Sequence, residues 1–196
     1  MTSGFQHARR RLLIGAIACV VAATQTSLAE VVAVPVSVQA DLMVKVAGYD
    51  RNLPTRASGR VHVGLVVKPG NADSARVVTQ MRSVLGEVRM IAGLPHDEAQ
   101  IEFADAASLA NACRAQGIGV LYVGPGLGEQ IEEIRRALET VNVLSVAAMA
   151  EDVPRGIVLG FGLNAGKPRL LINLPQAKKQ RVAIRPEVVS LMTVFE

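Results

Sequence analysis

The sequence predicts a single α/β domain of three layers, with helices on both faces of a mostly parallel sheet. Between residues 61 and 147, short segments rich in Val, Ile and Leu alternate with amphipathic segments of helical spacing. That alternation is typical of crossover units, which build parallel sheets. After Asp152 the order changes to two extended segments joined by a glycine-containing loop. The change predicts an antiparallel hairpin over residues 157–174 that completes the sheet.

The first 29 residues have the organisation of a secretory signal peptide. Three arginines at positions 9–11 precede an apolar segment, Leu12 to Ala23, and the small-residue ending Ser27-Leu28-Ala29. This arrangement predicts cleavage after Ala29 and export from the cytoplasm. The apolar segment is shorter than the roughly 20 residues of a membrane span, so no span is expected after cleavage. A retained anchor, lipidation at Cys19 and twin-arginine export are the alternatives.

Cleavage changes the charge balance of the chain. The leader contains three of the 21 Lys and Arg residues and none of the 17 Asp and Glu residues, so the remaining chain has 18 against 17, a net charge of +1. This balance provides no electrostatic basis for nucleic-acid binding. The 167 residues left from 196 are enough for one domain with a core. Cys113 is then the single cysteine, which excludes an intramolecular disulfide.

The first elements follow in order from the predicted cleavage point. Residues 30–36 form a proline-interrupted, flexible lead-in, and the domain is predicted over residues 37–196. A helix is predicted from Ser37 to about Leu53, with an apolar stripe. The residues of that stripe are Val38, Leu42, Val46 and Tyr49.

A β-branched segment, "VHVGLVV", then predicts a strand that ends at Pro69-Gly70. A helix follows over "ADSARVVTQMRSVLGEV", and a strand is expected near Val88 to Ile91.

The second half continues the same alternation. After a loop, "AGLPHDEA", we expect a short strand "QIEFA", a helix "DAASLANACRAQG" and a buried strand "IGVLYVG". A helix from Leu127 to Leu138 and a strand "NVLSVAA" complete the parallel part. Beyond the hairpin, "PQAKKQRVAIRPEVVSLMTVF" predicts a short helix, a polar connection and a last helix that begins at Pro186.

The loop after the buried strand, "GPGLG", resembles a phosphate-binding turn. Gly124, Gly126 and Gly128 follow a strand and precede a helix, but a dinucleotide fingerprint needs its third glycine one residue later. Pro125 also lacks the N–H that such a loop donates to phosphate. Glu151 and Asp152 resemble the ribose-binding acid only superficially. The loop is therefore interpreted as a strand-to-helix turn, and no cofactor is predicted.

Other groups of reactive residues lack a complete site. His96, Asp97, Glu98 and Glu102 lie together in "LPHDEAQIE", but a metal set needs ligands from more than one segment, so this stretch is interpreted as a solvated loop. Ser145 lacks the glycine-flanked elbow of a hydrolase nucleophile. Cys113 lies among small apolar residues of a helix, where a buried, inert thiol is expected and a redox role is the alternative. No metal site and no enzyme activity are predicted.

Two clusters of charge remain. "YDRN", Tyr49 to Asn52, combines an aromatic, an acid, a base and an amide at the end of the first helix. It is interpreted as a capping and ion-pair cluster that ties this helix to the first strand, with partner binding as the alternative. "KKQR", Lys178 to Arg181, is expected to be a solvated helix face, or else a contact for an acidic partner or anionic lipid.

The C-terminal half resembles the YfiR/HmsC-like family of small exported bacterial proteins. The resemblance rests on the glycine-led hairpin Gly156 to Phe161, the strand end Ile172-Asn173-Leu174, Ala177 in a short helix, and Leu191 in a final helix. With "VLYVG" and the first helix it covers roughly residues 39–195. Cysteine pairs that occur in the family are missing here, and "YDRNLP" replaces an aromatic-proline segment, so disulfide-based regulation is not carried over.

The resemblance implies a periplasmic regulator that binds the periplasmic sensor domain of an inner-membrane signalling enzyme, typically a diguanylate cyclase, and restrains it. Such a protein would affect cyclic-di-GMP levels and biofilm output. The alternative is a periplasmic solute-binding or sensor-accessory domain with a pocket at the carboxyl ends of the parallel strands. The scarcity of aromatics, with Tyr122 and Phe161 among six in the chain, argues against an aromatic-lined pocket. An enzyme of another kind is the third hypothesis, and a homodimer is left open.

The partner surface is expected on the hairpin. Leu170 and Ile172 alternate with residues on the opposite face of the second hairpin strand, so one face can cover the core while the other meets a partner. The expected partner-binding residues are Phe161, Arg169, Leu171, Asn173 and Arg181, with Tyr49, Asp50 and Arg51 as a second group. For Leu171 and Phe161, packing under the final helix is the competing interpretation.

Overall fold

The computed structural model describes residues 32–196. The predicted signal peptide, its cleavage after Ala29 and the first residues of the lead-in lie outside them. The strands are β1 (Val61–Val67), β2 (His96–Glu102), β3 (Ile118–Val123), β4 (Leu144–Ala147), β5 (Leu159–Asn164), β6 (Lys167–Asn173) and β7 (Thr193–Phe195). The helices are α1 (Val36–Ala47), α2 (Leu53–Ala57), α3 (Ala72–Leu85), α4 (Ala106–Ala115), α5 (Ile131–Leu138), α6 (Leu174–Lys179) and α7 (Pro186–Val189), with 3-10 turns at Gly128–Gln130 and Ala150–Asp152.

All seven strands form one sheet in the order β2-β1-β3-β4-β5-β6-β7. The pairs from β2 through to β5 are parallel, β5 and β6 are antiparallel, and β7 runs parallel to β6. The predicted α/β class, largely parallel sheet and C-terminal hairpin are confirmed. Because β2 and β3 flank β1 on opposite sides, the strand order reverses there and leaves a crevice at the carboxyl ends of β1 and β3.

Helices cover both faces of the sheet and produce two hydrophobic cores. On one face α1 and α3 bury residues such as Met43 and Met81 against the odd-numbered residues of β1. On the other face α4 and α5 bury Leu109, Ile131 and Ile134. A parallel sheet needs both faces covered because its crossover connections place helices there. The three-layer α/β/α arrangement follows from these two cores.

The first helix is shorter than predicted and buries a different stripe. α1 ends at Ala47, and α2 is a separate helix with a proline in its first turn. The buried positions of α1 are Val36, Gln39, Ala40, Met43, Val46 and Ala47. Of the predicted stripe only Val46 is buried, whereas Val38 and Leu42 pack at its margin and Tyr49 is 42% exposed. Small and polar residues, which apolar periodicity overlooks, therefore form much of the contact face.

The segment before β2 also differs from the prediction. β2 begins at His96, because all seven residues of β1 pair with it from Val61 opposite His96 onward. The stretch interpreted as a solvated loop is thus largely an edge strand. No strand forms at Val88–Ile91 within the described chain; Ile91 makes one isolated bridge with Leu94.

At the C-terminus, the predicted last helix is shorter than expected and a strand follows it. α7 begins at Pro186 as expected but ends at Val189, and Leu191 lies beyond it, 68% exposed. β7 then pairs with Leu171–Asn173 of β6. β6 is therefore paired along its carboxyl end.

Candidate functional site

The glycine loop after β3 is shaped by close backbone packing. The Gly124 amide donates to the Val66 carbonyl at 3.0 Å. A Cβ on Gly124 would lie 2.6 Å from that same oxygen and 2.9 Å from the Val78 side chain. A glycine is needed at position 124 because β1 and α3 pack too closely against its backbone to leave room for a side chain. This agrees with the interpretation of the loop as a strand-to-helix turn.

The histidines on β1 and β2 form two separate pairs with carboxylates. His62 Nδ1 lies 2.7 Å from Asp97 Oδ1, and His96 Nδ1 lies 2.7 Å from Glu98 Oε1. His96 also uses Nε2, at 2.9 Å from the Val88 carbonyl. Between residues 32 and 196 no three His, Cys, Asp or Glu side chains are grouped to hold a metal ion.

Ser145 and Cys113 are both part of the interior. The Ser145 hydroxyl accepts from the Val158 amide at 3.1 Å, and the Ser145 amide donates to Gln180 Oε1 at 3.3 Å. Burial raises the pKa of the Cys113 thiol from 9.0 to about 12. A raised pKa leaves the thiol protonated and weakly nucleophilic.

Four of the residues expected to contact a partner have buried side chains. Phe161 is 1% exposed within the first core, and Leu171 is 9% exposed in the second. The Asn173 amide donates to the Val153 carbonyl at 2.9 Å while its oxygen caps α6. Asp50 is 3% exposed. The competing packing interpretation describes where Phe161 and Leu171 lie. Partner binding by these four residues stays a prediction.

Asp50 joins the end of α1 to the C-terminal segment. Its Oδ1 accepts from the Ala183 amide at 2.9 Å and the Asn52 amide at 3.1 Å, and its Oδ2 meets the Arg56 guanidinium. The Asp50 and Arg56 side chains are 0% and 3% exposed. The "YDRN" cluster is therefore a capping and ion-pair cluster as predicted, but the segment it binds is residues 181–185, where the first strand had been expected.

Three exposed residues of the two predicted groups, Tyr49, Arg51 and Arg181, meet at this junction. The Arg51 amide donates to the Ala183 carbonyl, and the Arg185 amide donates to the Tyr49 carbonyl, both at 3.1 Å. Asn52 Nδ2 donates to the Arg181 carbonyl at 2.7 Å. We call Tyr49, Arg51, Arg181 and Arg185 the arginine surface.

Arg185 was missed by the sequence interpretation. Its guanidinium lies 5.8 Å from the centre of the Tyr49 ring, within cation–π range. The signal that could have found it is the cluster of four basic residues from Lys178 to Arg185 with no acid among them.

Arg169 does not belong to this surface. It pairs opposite Gly162 in the hairpin, and its Nε donates to Thr193 Oγ1 at 3.3 Å. Arg181 follows α6, which begins only after β6 has ended. The two residues that the sequence interpretation had grouped therefore have different partners, Thr193 for Arg169 and Asn52 for Arg181.

An apolar groove lies beside the arginine surface. Its volume is about 250 Å³. Val182, Ala183 and Ile184, the residues between Arg181 and Arg185, form one wall, and Ile172, Leu174, Ala177, Lys178 and Val189 complete it. The groove is therefore flanked by cations along the chain.

A second concavity occupies the carboxyl-end crevice. It measures about 370 Å³ and is lined by Lys68, Pro69, Phe103, Ala104, Asp105, Gln130 and Glu133. Asp105 already caps α4, and the hydrogen bond from the Ser108 amide lowers the pKa of its carboxyl. Tyr122 lies in the core instead, where its hydroxyl donates to Gln39 Oε1 at 2.9 Å and burial raises its pKa.

Residues 37–192 match the sequence model of the YfiR/HmsC-like family. No curated protein matches the chain. In residues 32–196, no helix is both long enough and apolar enough to cross a membrane.

Solved structures share the fold at low identity. A conserved domain protein from Vibrio cholerae has a TM-score of 0.60 and 18% identity, over 83% of this chain and 60% of that one. The ABC domain from Streptococcus pneumoniae, solved with L-Trp, has a TM-score of 0.60 and 10% identity, over 83% and 62%. A substrate-binding protein with adhesive properties from Clostridium difficile has a TM-score of 0.50 and 12% identity, over 74% and 57%. The chain spans about three fifths of the length of these proteins.

Proposed function

Because the chain belongs to the YfiR/HmsC-like family, we propose that it is a periplasmic regulatory protein that binds the periplasmic domain of an inner-membrane signalling enzyme and restrains it. Family membership supports the periplasmic regulatory role in general. The finer proposal is that the enzyme is a diguanylate cyclase, so that loss of the regulator raises cyclic-di-GMP and biofilm output.

The arginine surface is the observation that carries a binding function. None of the salt bridges between described residues involves Arg51, Arg181 or Arg185. Tyr49 is 42% exposed beside them. Arginine and tyrosine are enriched among residues that contribute most to protein–protein affinity. Three arginines without an acidic partner, next to an exposed tyrosine, are therefore best explained as a surface that meets another protein.

The polar residues considered for catalysis support the same proposal. The Ser145 hydroxyl binds the amide of Val158, just before β5. His62 and His96 each face one carboxylate, and Cys113 is buried. Each of these groups has a structural role that accounts for its position, and catalysis would require several of them to converge on one reacting atom.

Capture of the membrane partner tests the proposal. The full chain is expressed in its own cells with a C-terminal tag, purified from the periplasm and incubated with detergent-solubilised inner membranes. We expect one signalling enzyme to be enriched relative to a tagged, unrelated periplasmic protein. Deletion of the gene should also raise cellular cyclic-di-GMP, and re-expression should reverse the rise. If neither enrichment nor a change in cyclic-di-GMP occurs, the regulatory proposal fails.

Small-ligand binding in the carboxyl-end crevice is the second candidate. It is favoured by the cavity of about 370 Å³ at the strand-order reversal, since ligand pockets measure about 300–1,000 Å³ and open α/β sheets bind ligands there. A thermal-shift screen of small metabolites tests it. A specific stabilisation that Lys68→Ala and Phe103→Ala abolish, while Arg185→Ala does not, would favour this candidate.

A further inference from the structure

We infer that the partner docks on the arginine surface through an acidic segment with one apolar side chain between its carboxylates. This inference rests on the proposed function, because it specifies the partner's chemistry. In this arrangement the apolar side chain enters the groove beside Val182–Ile184, and the carboxylates meet Arg181 and Arg185 on either side of it.

The charge of the C-terminal part of the chain is strongly asymmetric. From Val153 to Pro186 there is no Asp or Glu, but there are seven basic residues: Arg155, Lys167, Arg169, Lys178, Lys179, Arg181 and Arg185. Of these, Arg155 lies near Asp152 and Lys179 binds Glu139. The hydrogen bond from Lys179 lowers the pKa of the Glu139 carboxyl. Such a surface attracts acidic partners and disfavours basic ones.

The backbone holds the arginines of this surface at fixed spacing. Arg51 and Arg185 each donate a backbone hydrogen bond across the junction, and the Arg181 carbonyl accepts one from Asn52. The buried Asp50 carboxylate fixes Ala183 between them. Binding a partner would therefore order only the side chains, which keeps the entropic cost of association low.

The groove has the size of an anchor site. At about 250 Å³ it is smaller than the roughly 300–1,000 Å³ of small-molecule pockets. Its lining is aliphatic apart from Lys178. Interfaces typically place an apolar anchor at the centre and polar contacts at the rim. A groove bordered by Arg181 and Arg185 has this organisation.

The geometry favours a protein segment over a membrane surface. A concave groove accepts a protruding side chain, whereas a bilayer is bound by apolar side chains that protrude from the protein into it. Guanidinium groups also match carboxylates through paired N–H donors. An acidic segment satisfies both the groove and the arginines.

Matched charge reversals test the inference. The double variant Arg181→Glu/Arg185→Glu is compared with Lys167→Glu/Arg136→Glu, which changes the net charge equally on the hairpin and on α5. Affinity for the solubilised inner-membrane partner is measured at low and high NaCl, after thermal melts establish that both variants are folded. We expect the arginine variant to bind on the order of tenfold more weakly or worse, the control to bind like the wild type, and wild-type affinity to fall as salt rises.

The groove is tested separately with Val189→Ser, which replaces one apolar side chain of its lining with a polar one. We expect weaker capture with the salt dependence retained, because the arginines remain in place.

The other outcomes distinguish failure of this inference from failure of the proposed function. If the partner is captured equally by the wild type and the arginine variant, the docking surface lies elsewhere and the regulatory proposal stands. If the wild type captures no membrane protein, both this inference and the proposed function are overturned. Sedimentation with vesicles of phosphatidylglycerol and phosphatidylcholine that depends on Arg181 and Arg185 would assign the surface to lipid and overturn the acidic segment.

Discussion

Asp50 and Arg56 form a buried ion pair that joins the residues after α1 to the last turn of α2 and, through Asp50, to the C-terminal segment. Both side chains are almost completely inaccessible to solvent. Arg56 also donates to Asn142 Oδ1 at 3.0 Å. Asp50 also holds Ala183, between Arg181 and Arg185, so the arrangement of the arginine surface depends on Asp50.

Removal of the Asp50 charge should destabilise the protein strongly. In Asp50→Asn the Arg56 guanidinium stays buried without a counter-charge, which typically costs about 3–5 kcal/mol. We expect the free energy of unfolding, measured with urea, to fall by about that amount. The control is Asp73→Asn, whose partner Arg76 is largely exposed; surface pairs contribute about 0–1 kcal/mol. Equal effects of the two variants would show that the buried pair has no special role.

Gly124→Ala tests the explanation of the glycine loop. The added methyl group would overlap the Val66 carbonyl, which is backbone of a central strand and cannot move aside. Overpacking of this kind costs about 1–3 kcal/mol, so the urea midpoint should fall. Gly128→Ala is the matched control, because the nearest atom to its Cβ is Arg155 Nη1 at 3.8 Å. A neutral Gly124→Ala would remove the packing explanation.

The sequence predicted the sheet because its central strands are nearly continuous apolar segments. β3 is buried at all six positions, and the helices after it have clear stripes. The predictions for the segments that form β2 and β7 were wrong because pairing with a neighbouring strand determines the structure of these segments. β2 alternates exposed and half-buried residues at the sheet edge, and the three residues of β7 extend only because β6 lies beside them.

The candidate surface was predictable in part. Tyr49, Arg51 and Arg181 stood out by composition, yet their proximity results from a bridge between Asp50 and Ile184 that joins segments far apart in sequence. Alternation along β6 correctly separated Ile172 from Leu171, which lie in different cores. The alternation could not show that both faces of the sheet are covered at the carboxyl end of β6.

Cys113 should be unreactive in the folded protein. In protein that begins at residue 30 it is the single thiol, and burial raises its pKa to about 12. At pH 8 we expect a thiol reagent to label it only after unfolding in urea. The native state keeps the proton up to about pH 12, while the unfolded chain loses it near 9.0. The thiol's contribution to stability is therefore constant below pH 9 and falls as the pH rises through that window.

The pH effect is isolated by comparison with Cys113→Ala. The difference in the free energy of unfolding between the wild type and this variant should shrink between pH 9 and pH 11. Rapid labelling of the native protein at pH 8 would contradict the burial of the thiol.

Ala165→Asn should stabilise the hairpin. Ala165 and Gly166 connect β5 to β6 with φ values of 49° and 75°, and the flanking pair Asn164 and Lys167 is in register. Positive φ at both central positions defines a type I′ turn, for which Asn-Gly is strongly preferred. A left-handed conformation costs an ordinary L-residue about 1–2 kcal/mol, and Asn tolerates it better than Ala. We expect the free energy of unfolding in urea to rise by about 0.5–1 kcal/mol, within the usual range for such optimised positions.

Ala165→Val is the opposing control, because a β-branched residue is strained at positive φ and should lower stability. If Asn destabilised the protein as Val does, the two-residue turn would not be the one that joins these strands in solution.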